Sequence, residues 1–278
     1  ANYGSCTIGK HTSICEGGKW VAQEFTWGGH YDNWDFDNTR FVLNFGSNVL
    51  EAHTNHIPTA HRLLWAMAER NVRMVTFDVR LSNTPAKSSE WVPIKPGTDL
   101  AVVLAMCNVI MNENLYTGQG EDFLKYCKAT ADNNATLDDK VATMKAHLAQ
   151  YTPAWAEKIS GVPADKIADI AREFANAKPG CVISYRGAVA HYNGHDTERA
   201  IQMLASITGN IDNPGGRCKA VGAKWKYFSG PKDKPKARKL KIVDGFKGAA
   251  IFPNHHMSHN VLKMIKDGSA GRPDIYMW

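Results

Sequence analysis

The sequence predicts an α/β fold, a Rossmann-like and mostly parallel sheet flanked by helices. Short apolar runs at residues 41–45, 73–77 and 181–185 have the length of buried strands, and longer amphipathic segments separate them. The chain has 278 residues, of which 44% are hydrophobic and 22% charged, so it can bury a large core. Strands that alternate with helices in this way pair in parallel.

The remaining elements follow from local signals. Pro58 favours a helix start, Thr98 or Asp99 can cap the helix that begins at Leu100, and a further strand is predicted at residues 91–95. Helices are predicted at residues 58–70, 100–112, 121–128, 137–150, 153–159, 164–176 and 196–208. Residues 1–39, rich in glycine and aromatic side chains, predict an irregular segment with one helix after Gly18, and such segments are usually functional.

Charge and hydropathy exclude several classes of protein. The net charge is +6, and much of it lies in a run at residues 224–241 that prolines interrupt, which is typical of a solvated loop and not of a nucleic-acid surface. No apolar run reaches the length of a membrane helix. The first residues have neither a basic region nor an apolar stretch for export, so a signal peptide would have to lie outside this chain.

A strand, turn, helix and strand follow one another between residues 41 and 78. The turn Gly46, Ser47 and Asn48 can direct its amides at a phosphate, and Asp78 after the second strand can accept hydrogen bonds from ribose hydroxyls. The full Gly-x-Gly-x-x-Gly pattern is absent. A βαβ unit in which Gly46 only makes a tight turn is therefore an open alternative.

Cys15 differs from the other cysteines of the chain. It lies between His11 and Lys19 and is followed by Gly17 and Gly18, a setting that favours an accessible thiolate for a metal or an electrophile. The six cysteines form no Cys-x-x-Cys pair and no zinc-type spacing. Arg186 leaves a predicted strand at its carboxyl end, where open α/β sheets bind their ligands.

Six short motifs carry a resemblance to a known family. They are His11-Thr12-Ser13-Ile14-Cys15, Phe45-Gly46-Ser47-Asn48, Asp78-Val79-Arg80, Pro96-Gly97-Thr98-Asp99, Arg186-Gly187 and the turn-rich residues 209–216. In this order they resemble the catalytic subunit of the molybdopterin oxidoreductases, the dimethyl-sulfoxide-reductase family. The resemblance covers essentially the whole chain and is strongest up to about residue 217.

The resemblance implies a cofactor and its ligands. The family binds molybdenum or tungsten through two molybdopterin guanine dinucleotides and one protein ligand, which by resemblance is Cys15. A soft thiolate suits a metal already held by sulfur. Gly46, Ser47 and Asn48 would hold a pyrophosphate and Asp78 would lie near a ribose. Asp99 would accept the two adjacent N–H groups of guanine.

The form of the Cys15 segment is most similar to the branch that reduces polysulfide, thiosulfate, tetrathionate or arsenate. By that similarity His11, Lys19 and Arg186 are candidate catalytic residues for a small anionic substrate, and Tyr31 and His191 are weaker candidates. Two alternatives stay open, namely that Arg186 contacts a cofactor phosphate and that His11 only braces the ligand loop.

The resemblance also implies a domain organisation, partner subunits and a cellular location. Residues 1–213 would form a nested dinucleotide-binding domain, and residues 214–278 would return into an adjacent cofactor-binding domain. The family's iron–sulfur segment, which carries a [4Fe-4S] cluster, and its last domain are expected outside this chain. An iron–sulfur electron-transfer subunit, a membrane anchor, a periplasmic location and a role in anaerobic respiration are likewise implied by family only.

Two hypotheses that assign the chain to other functional classes remain. One is a cofactor-free homologue that serves as a structural subunit of a membrane-bound electron-transfer complex, against which the presence of Cys15 argues. The other is a nucleotide-binding α/β domain with no redox role, which leaves Cys15 and Arg186 unexplained.

Overall fold

The computed structural model describes residues 15–116, 118–127 and 134–219, together with residues 266 and 268. The chain divides into two compact units, one formed by residues 18–220 and the other by residues 1–17 together with residues 221–278. The predicted domain boundary at residue 213 stays a prediction. His11, the basic run at residues 224–241 and most of the predicted return segment lie outside the described residues.

A four-stranded parallel sheet forms the centre of the first unit. Its strands are β2 (Phe41–Phe45), β3 (Arg73–Asp78), β4 (Glu90–Pro93) and β5 (Gly180–Ser184), in the spatial order β4-β3-β2-β5. Phe41 is paired with Arg73 on one side and with Gly180 on the other. The predicted α/β class and its parallel sheet are therefore confirmed.

Helices follow the strands and cover the sheet. They are α1 (Gly17–Trp27), α2 (His56–Arg70), α3 (Asn83–Lys87), α4 (Asp99–Asn112), α5 (Gln119–Tyr126), α6 (Leu137–Leu148), α7 (Pro153–Ser160), α8 (Ala164–Asn176), α9 (Arg186–Val189) and α10 (Gly194–Ile207). The helix α4 is apolar on nearly all sides because it packs against α6, α7, α8 and α10. None of the described helices combines the length and the apolar character that a membrane span requires.

Side chains that alternate along the strands separate two hydrophobic clusters. Phe41, Leu43 and Phe45 of β2 face a large cluster built with α4, α8 and α10, and Val42 faces a smaller cluster built with α2. Every residue of β2 is buried, as expected for a central strand of a sheet that is covered on both faces.

The predicted elements agree with the structure to within a few residues. β2 and α8 have the predicted bounds, α2 begins two residues earlier than predicted and α10 ends one residue earlier. Two short helices, α3 and α9, were not predicted, nor was the antiparallel pair β1 (Asn33–Trp34) and β6 (Arg217–Cys218). Elements this short offer no full period of hydrophobic residues in the sequence.

Candidate functional site

The strand order creates a cleft at the carboxyl edge of the sheet. From β2 the chain continues to β3 on one side, and the last strand β5 enters on the other side of β2. The segments that leave β2 and β5 therefore diverge, and ligands of open α/β sheets bind in the crevice between such segments. Every residue discussed around this cleft belongs to the unit formed by residues 18–220.

Two glycines allow the diverging segments to cross in close contact. The amide of Gly187 donates a hydrogen bond to the carbonyl of Gly46, with an N–O distance of 3.0 Å. Gly46 has a φ of +57°, and a Cβ atom at this position would lie 2.6 Å from the amide nitrogen of Ala188. A side chain at Gly46 would therefore clash with backbone, and its φ also favours glycine.

A cavity of about 180 Å³ lies at this crossing. It is bounded by both glycines and by the loop before α4. Its polar walls are Asp78, Asp99 and His191, and its apolar walls include Phe77, Val79 and Ile94. A mostly apolar cavity with a few convergent polar groups is the usual form of a small-molecule site.

Asp99 is the one carboxylate that is fully buried in this cavity. Its side chain is 4% exposed, and no side chain among the described residues donates a hydrogen bond to it. Burial raises the pKa of the Asp99 carboxyl to about 6, and the nearby Asp78 adds to this rise. Among the described residues only its own backbone amide donates to it, and a buried carboxylate with so few donors is typical of a ligand site.

The predicted phosphate turn is only partly free for a ligand. Ser47 is buried, and its hydroxyl has no hydrogen-bond partner among the described residues. Asn48 is engaged within the protein, since its amide donates to Glu51 at 2.9 Å and its carbonyl oxygen accepts from the Thr84 hydroxyl at 2.6 Å. The Ser47 hydroxyl thus has no partner among the described residues, whereas the Asn48 side chain connects this loop to α3.

Asp78, Arg186 and His191 lie around the mouth of the cleft. Asp78 ends β3 and accepts a hydrogen bond from the amide of Val79 at 2.7 Å. Arg186 is exposed at the start of α9, and none of the described acidic residues forms an ion pair with it. His191 is exposed at the rim of the cavity.

Lys19 lies in the core, away from solvent. Its side chain is 1% exposed, and its ammonium group forms an ion pair with Asp32 at 2.9 Å and lies 5.1 Å from the centre of the Tyr185 ring. Arg217 also pairs with Asp32, at 3.1 Å, and with Glu198, at 2.9 Å. We call Lys19, Asp32, Glu198 and Arg217 the buried charge cluster.

Two members of this cluster have no signal in the sequence. Glu198 lies on a predicted helix and Arg217 follows a glycine pair, and neither position is marked by a motif for buried charge. Both side chains are fully buried, and Glu198 also accepts hydrogen bonds from Gln23 and Ser184. Arg217 and Glu198 are 19 positions apart, and the turn after α10 brings β6 back to that helix.

The other predicted residues are placed as follows. Tyr31 is buried, and its carbonyl accepts a hydrogen bond from Arg217, so the structure does not bring its side chain to the cleft. Cys15 has a partly exposed side chain and precedes α1 by two residues. It belongs to the second unit, whereas the cleft belongs to the first.

The cleft fits the nucleotide end of the implied cofactor. Asp99 offers two carboxylate oxygens in a mostly apolar cavity, which matches the adjacent N–H donors of a guanine base. The unpartnered hydroxyl of Ser47 lies at the carboxyl end of β2, where a phosphate binds in folds of this type. A buried hydroxyl without a partner is costly to leave unsatisfied.

Comparisons with known proteins agree with this geometry. The chain is 34% identical over 228 residues to the dimethyl sulfoxide reductase DmsA of Haemophilus influenzae, a match that covers 76% of this chain and 27% of the relative. It is 34% identical over 247 residues to the thiosulfate reductase molybdopterin-containing subunit PhsA of Salmonella typhimurium, covering 86% of this chain and 30% of the relative. The chain spans about a quarter to a third of the length of these relatives.

A solved structure shows the same fold. Acetylene hydratase from Pelobacter acetylenicus matches 71% of this chain and 25% of its own chain, with a TM-score of 0.60 and 24% sequence identity. The family profile described as molybdopterin oxidoreductase matches residues 4–264. The strand-edge cleft, the buried Asp99 and this match over most of the sequence agree, and the chain belongs to the molybdopterin oxidoreductase family.

Proposed function

We propose that this chain is part of the catalytic subunit of a molybdenum or tungsten oxidoreductase that carries two molybdopterin guanine dinucleotides. The observation that carries the proposal is the buried carboxylate of Asp99 in the cavity at the strand edge, to which no described side chain donates a hydrogen bond. Gly46 and Asp78 border this cavity at the ends of β2 and β3, and Ser47 follows Gly46 in the chain. The match of the family profile supports the assignment.

Different residues would bind different parts of the cofactor. Asp99 would accept the N–H groups of guanine, Asp78 the hydroxyls of ribose, and the amides and hydroxyl of the Gly46–Ser47 turn would hold phosphate oxygens. Cys15 would donate its thiolate to the metal. When bound, the metal centre supplies two-electron redox chemistry at the substrate atom. The chain's own residues orient the cofactor and keep water away from its base.

We infer that the substrate is a sulfur or arsenic oxyanion or a polysulfide. The relatives support this class, since they include the thiosulfate reductase subunit and the arsenate respiratory reductase subunit ArrA of Chrysiogenes arsenatis, which is 30% identical over 77% of this chain. Arg186 has an exposed guanidinium without an ion pair among the described residues, so it can attract an anion. Lys19 is buried and paired, and its proposed catalytic role would have to act through its neighbour Tyr185.

Partners and location are proposed on the same basis. The relatives are named as molybdopterin-containing subunits, a description typical of multi-subunit reductases. We propose an iron–sulfur electron-transfer subunit, a membrane anchor and a periplasmic location. A [4Fe-4S] cluster is proposed for the part of the subunit outside this chain.

The test is the metal, pterin and nucleotide content of the full-length protein purified from its source. We expect about one molybdenum or tungsten per subunit, two guanine nucleotides after acid hydrolysis, and loss of reductase activity in Cys15→Ala. The other cysteines supply a matched control, because Cys107→Ala removes a fully buried thiol of α4. It should leave the metal content unchanged.

The opposite result has a definite meaning. An intact full-length protein with neither metal nor pterin would contradict the proposal and indicate the cofactor-free structural homologue. Guanine nucleotide without metal or pterin would instead indicate a nucleotide-binding domain. Unchanged kcat/KM for sulfur and arsenic oxyanions in Arg186→Ala would remove Arg186 from the substrate site.

A further inference from the structure

The segment after β5 reaches across the cleft to the loop before α4. This segment contains α9 and the turn from His191 to Asn193 that leads into α10. The amide of Asn193 donates a hydrogen bond to the carbonyl of Gly97 at 3.3 Å. Gly97 lies two residues before Asp99, the carboxylate at the bottom of the cavity. The two sides of the cleft are thus joined above Asp99.

The imidazole of His191 makes the second connection. Its Nε2 donates a hydrogen bond to the carbonyl of Gly187 at 2.9 Å, which requires the proton on Nε2 because a carbonyl oxygen only accepts. On its other side, the ring lies against Gly97. A Cβ atom at Gly97 would lie 3.3 Å from Nδ1 of His191, and the φ of +75° at Gly97 also favours glycine.

His191 therefore spans the opening between the two glycine segments. Both Gly187 and His191 border the cavity that contains Asp99, and the ring is in electrostatic contact with the Asp99 carboxylate. The side chain is exposed on its outer side, so it stands between the cavity and solvent. An aromatic ring in this position can cover one face or one edge of a bound base.

We propose that His191 is a positioning residue that retains the nucleotide base of the cofactor by closing the Asp99 cavity. This inference rests on the proposed function, since it names a role at the same cleft. Asp99 recognises the edge of the base, and His191, held by Gly187 and Gly97, slows its escape. His191 thus acts on the cofactor's nucleotide and not on the substrate.

The test measures how fast loaded full-length protein loses its nucleotide. Wild type, His191→Ala and His191→Gln would be dialysed in parallel, and guanine nucleotide per subunit would be determined after acid hydrolysis at intervals. We expect His191→Ala to lose nucleotide about tenfold faster, because the variant lacks one hydrogen bond and the ring that covers the bound base. His191→Gln keeps a donor that can reach Gly187 and should retain most of the nucleotide.

His195→Ala is the matched control. His195 lies on the neighbouring α10 and does not border the cavity. It should release nucleotide at the wild-type rate. The unfolding midpoints of the cofactor-free variants should equal that of wild type, because His191 is exposed and a purely structural role would lower its midpoint.

The outcomes separate the two proposals. Wild-type protein without any nucleotide would overturn the proposed function itself. Loaded wild type together with a His191→Ala variant that loses nucleotide no faster would overturn only the role of His191. A His191→Gln variant that releases nucleotide as fast as His191→Ala would contradict the part played by the hydrogen bond to Gly187.

Discussion

Two carboxylates of the same unit, the half-buried Asp32 and the buried Asp99, have opposite surroundings. Asp32 accepts from Lys19, Arg217 and Gln23, and although its burial alone would raise its pKa, the two cations lower the pKa well below its usual range. Asp99 is also buried, yet no described side chain donates to it, and burial raises its pKa to about 6. Burial of an acid therefore tells little about its role until its partners are counted.

This difference distinguishes a carboxylate that stabilises the fold from a carboxylate at a binding site. Asp32 and the rest of the buried charge cluster join α1, α10 and β6, and each charge has a partner inside the protein. Asp99 stands at the edge of the sheet, beside a cavity, and no side chain of the described residues donates a hydrogen bond to it. Unfavourable electrostatics that persist at a cleft are typical of binding sites.

The largest effect should come from breaking the buried charge cluster. Arg217→Met leaves Glu198, which is fully buried, without a cation. We expect a loss of about 3–5 kcal/mol in the free energy of unfolding, seen as a lower unfolding midpoint. Arg172→Met is the control, since Arg172 pairs with Glu113 at the surface and such pairs contribute less than about 1 kcal/mol. Equal midpoints for the two variants would contradict the structural role of the cluster.

Asp99→Asn should act in the opposite direction on the cofactor-free protein. The folded pKa of Asp99 lies above the ordinary value, so wild type loses stability as the pH rises from about 4 to about 6. The variant does not titrate, and at pH 7 it should be more stable by up to about 3 kcal/mol. This difference in unfolding midpoint should vanish near pH 4.

The same variant should hold less nucleotide. Asparagine replaces one acceptor oxygen with an N–H donor, which faces a donor of guanine. A variant that is no more stable at pH 7, or that keeps its full nucleotide content, would contradict the contrast between Asp99 and Asp32.

Lys19→Met should give the smallest loss and sharpen the contrast. Asp32 keeps Arg217 as a partner, so we expect a decrease of about 2 kcal/mol, less than for Arg217→Met. The lowered pKa of Asp32 stabilises the fold above the ordinary pKa of a carboxyl, and this contribution is lost as the pH falls. The difference in stability between wild type and Lys19→Met should therefore disappear in acid. The difference for Asp99→Asn also disappears in acid, but there the variant is the more stable protein at pH 7. A gap independent of pH would contradict the pairing with Asp32.

Local patterns predicted most of the fold. The run at residues 41–45 and the amphipathic pattern of α8 identified their elements to the residue, because buried strands and amphipathic helices have a clear hydrophobic period. α3 and α9 were missed because each has five residues or fewer. Their positions depend on contacts with segments far away in sequence, such as Thr84 with Asn48.

The sequence indicated which types of residue form the site, but less well which residues contact one another. Asp99 was assigned to guanine through the family resemblance, while its position at a helix start alone indicates only a cap. Lys19 was assigned to the substrate site through the family resemblance, and the structure places it in an ion pair with Asp32. His191 was a weak substrate candidate, and only the folded chain shows that its ring lies between Gly187 and Gly97.

The pairing of β2 with β5 has a consequence for synthesis on the ribosome. Phe41 and Gly180 are neighbours in the sheet although well over a hundred residues separate them along the chain. Contacts of such long range form late in folding. Until β5 has emerged, one side of the buried strand β2 has no partner, and an unpaired apolar strand edge promotes aggregation. The nascent chain thus has to protect the side of β2 that later pairs with β5.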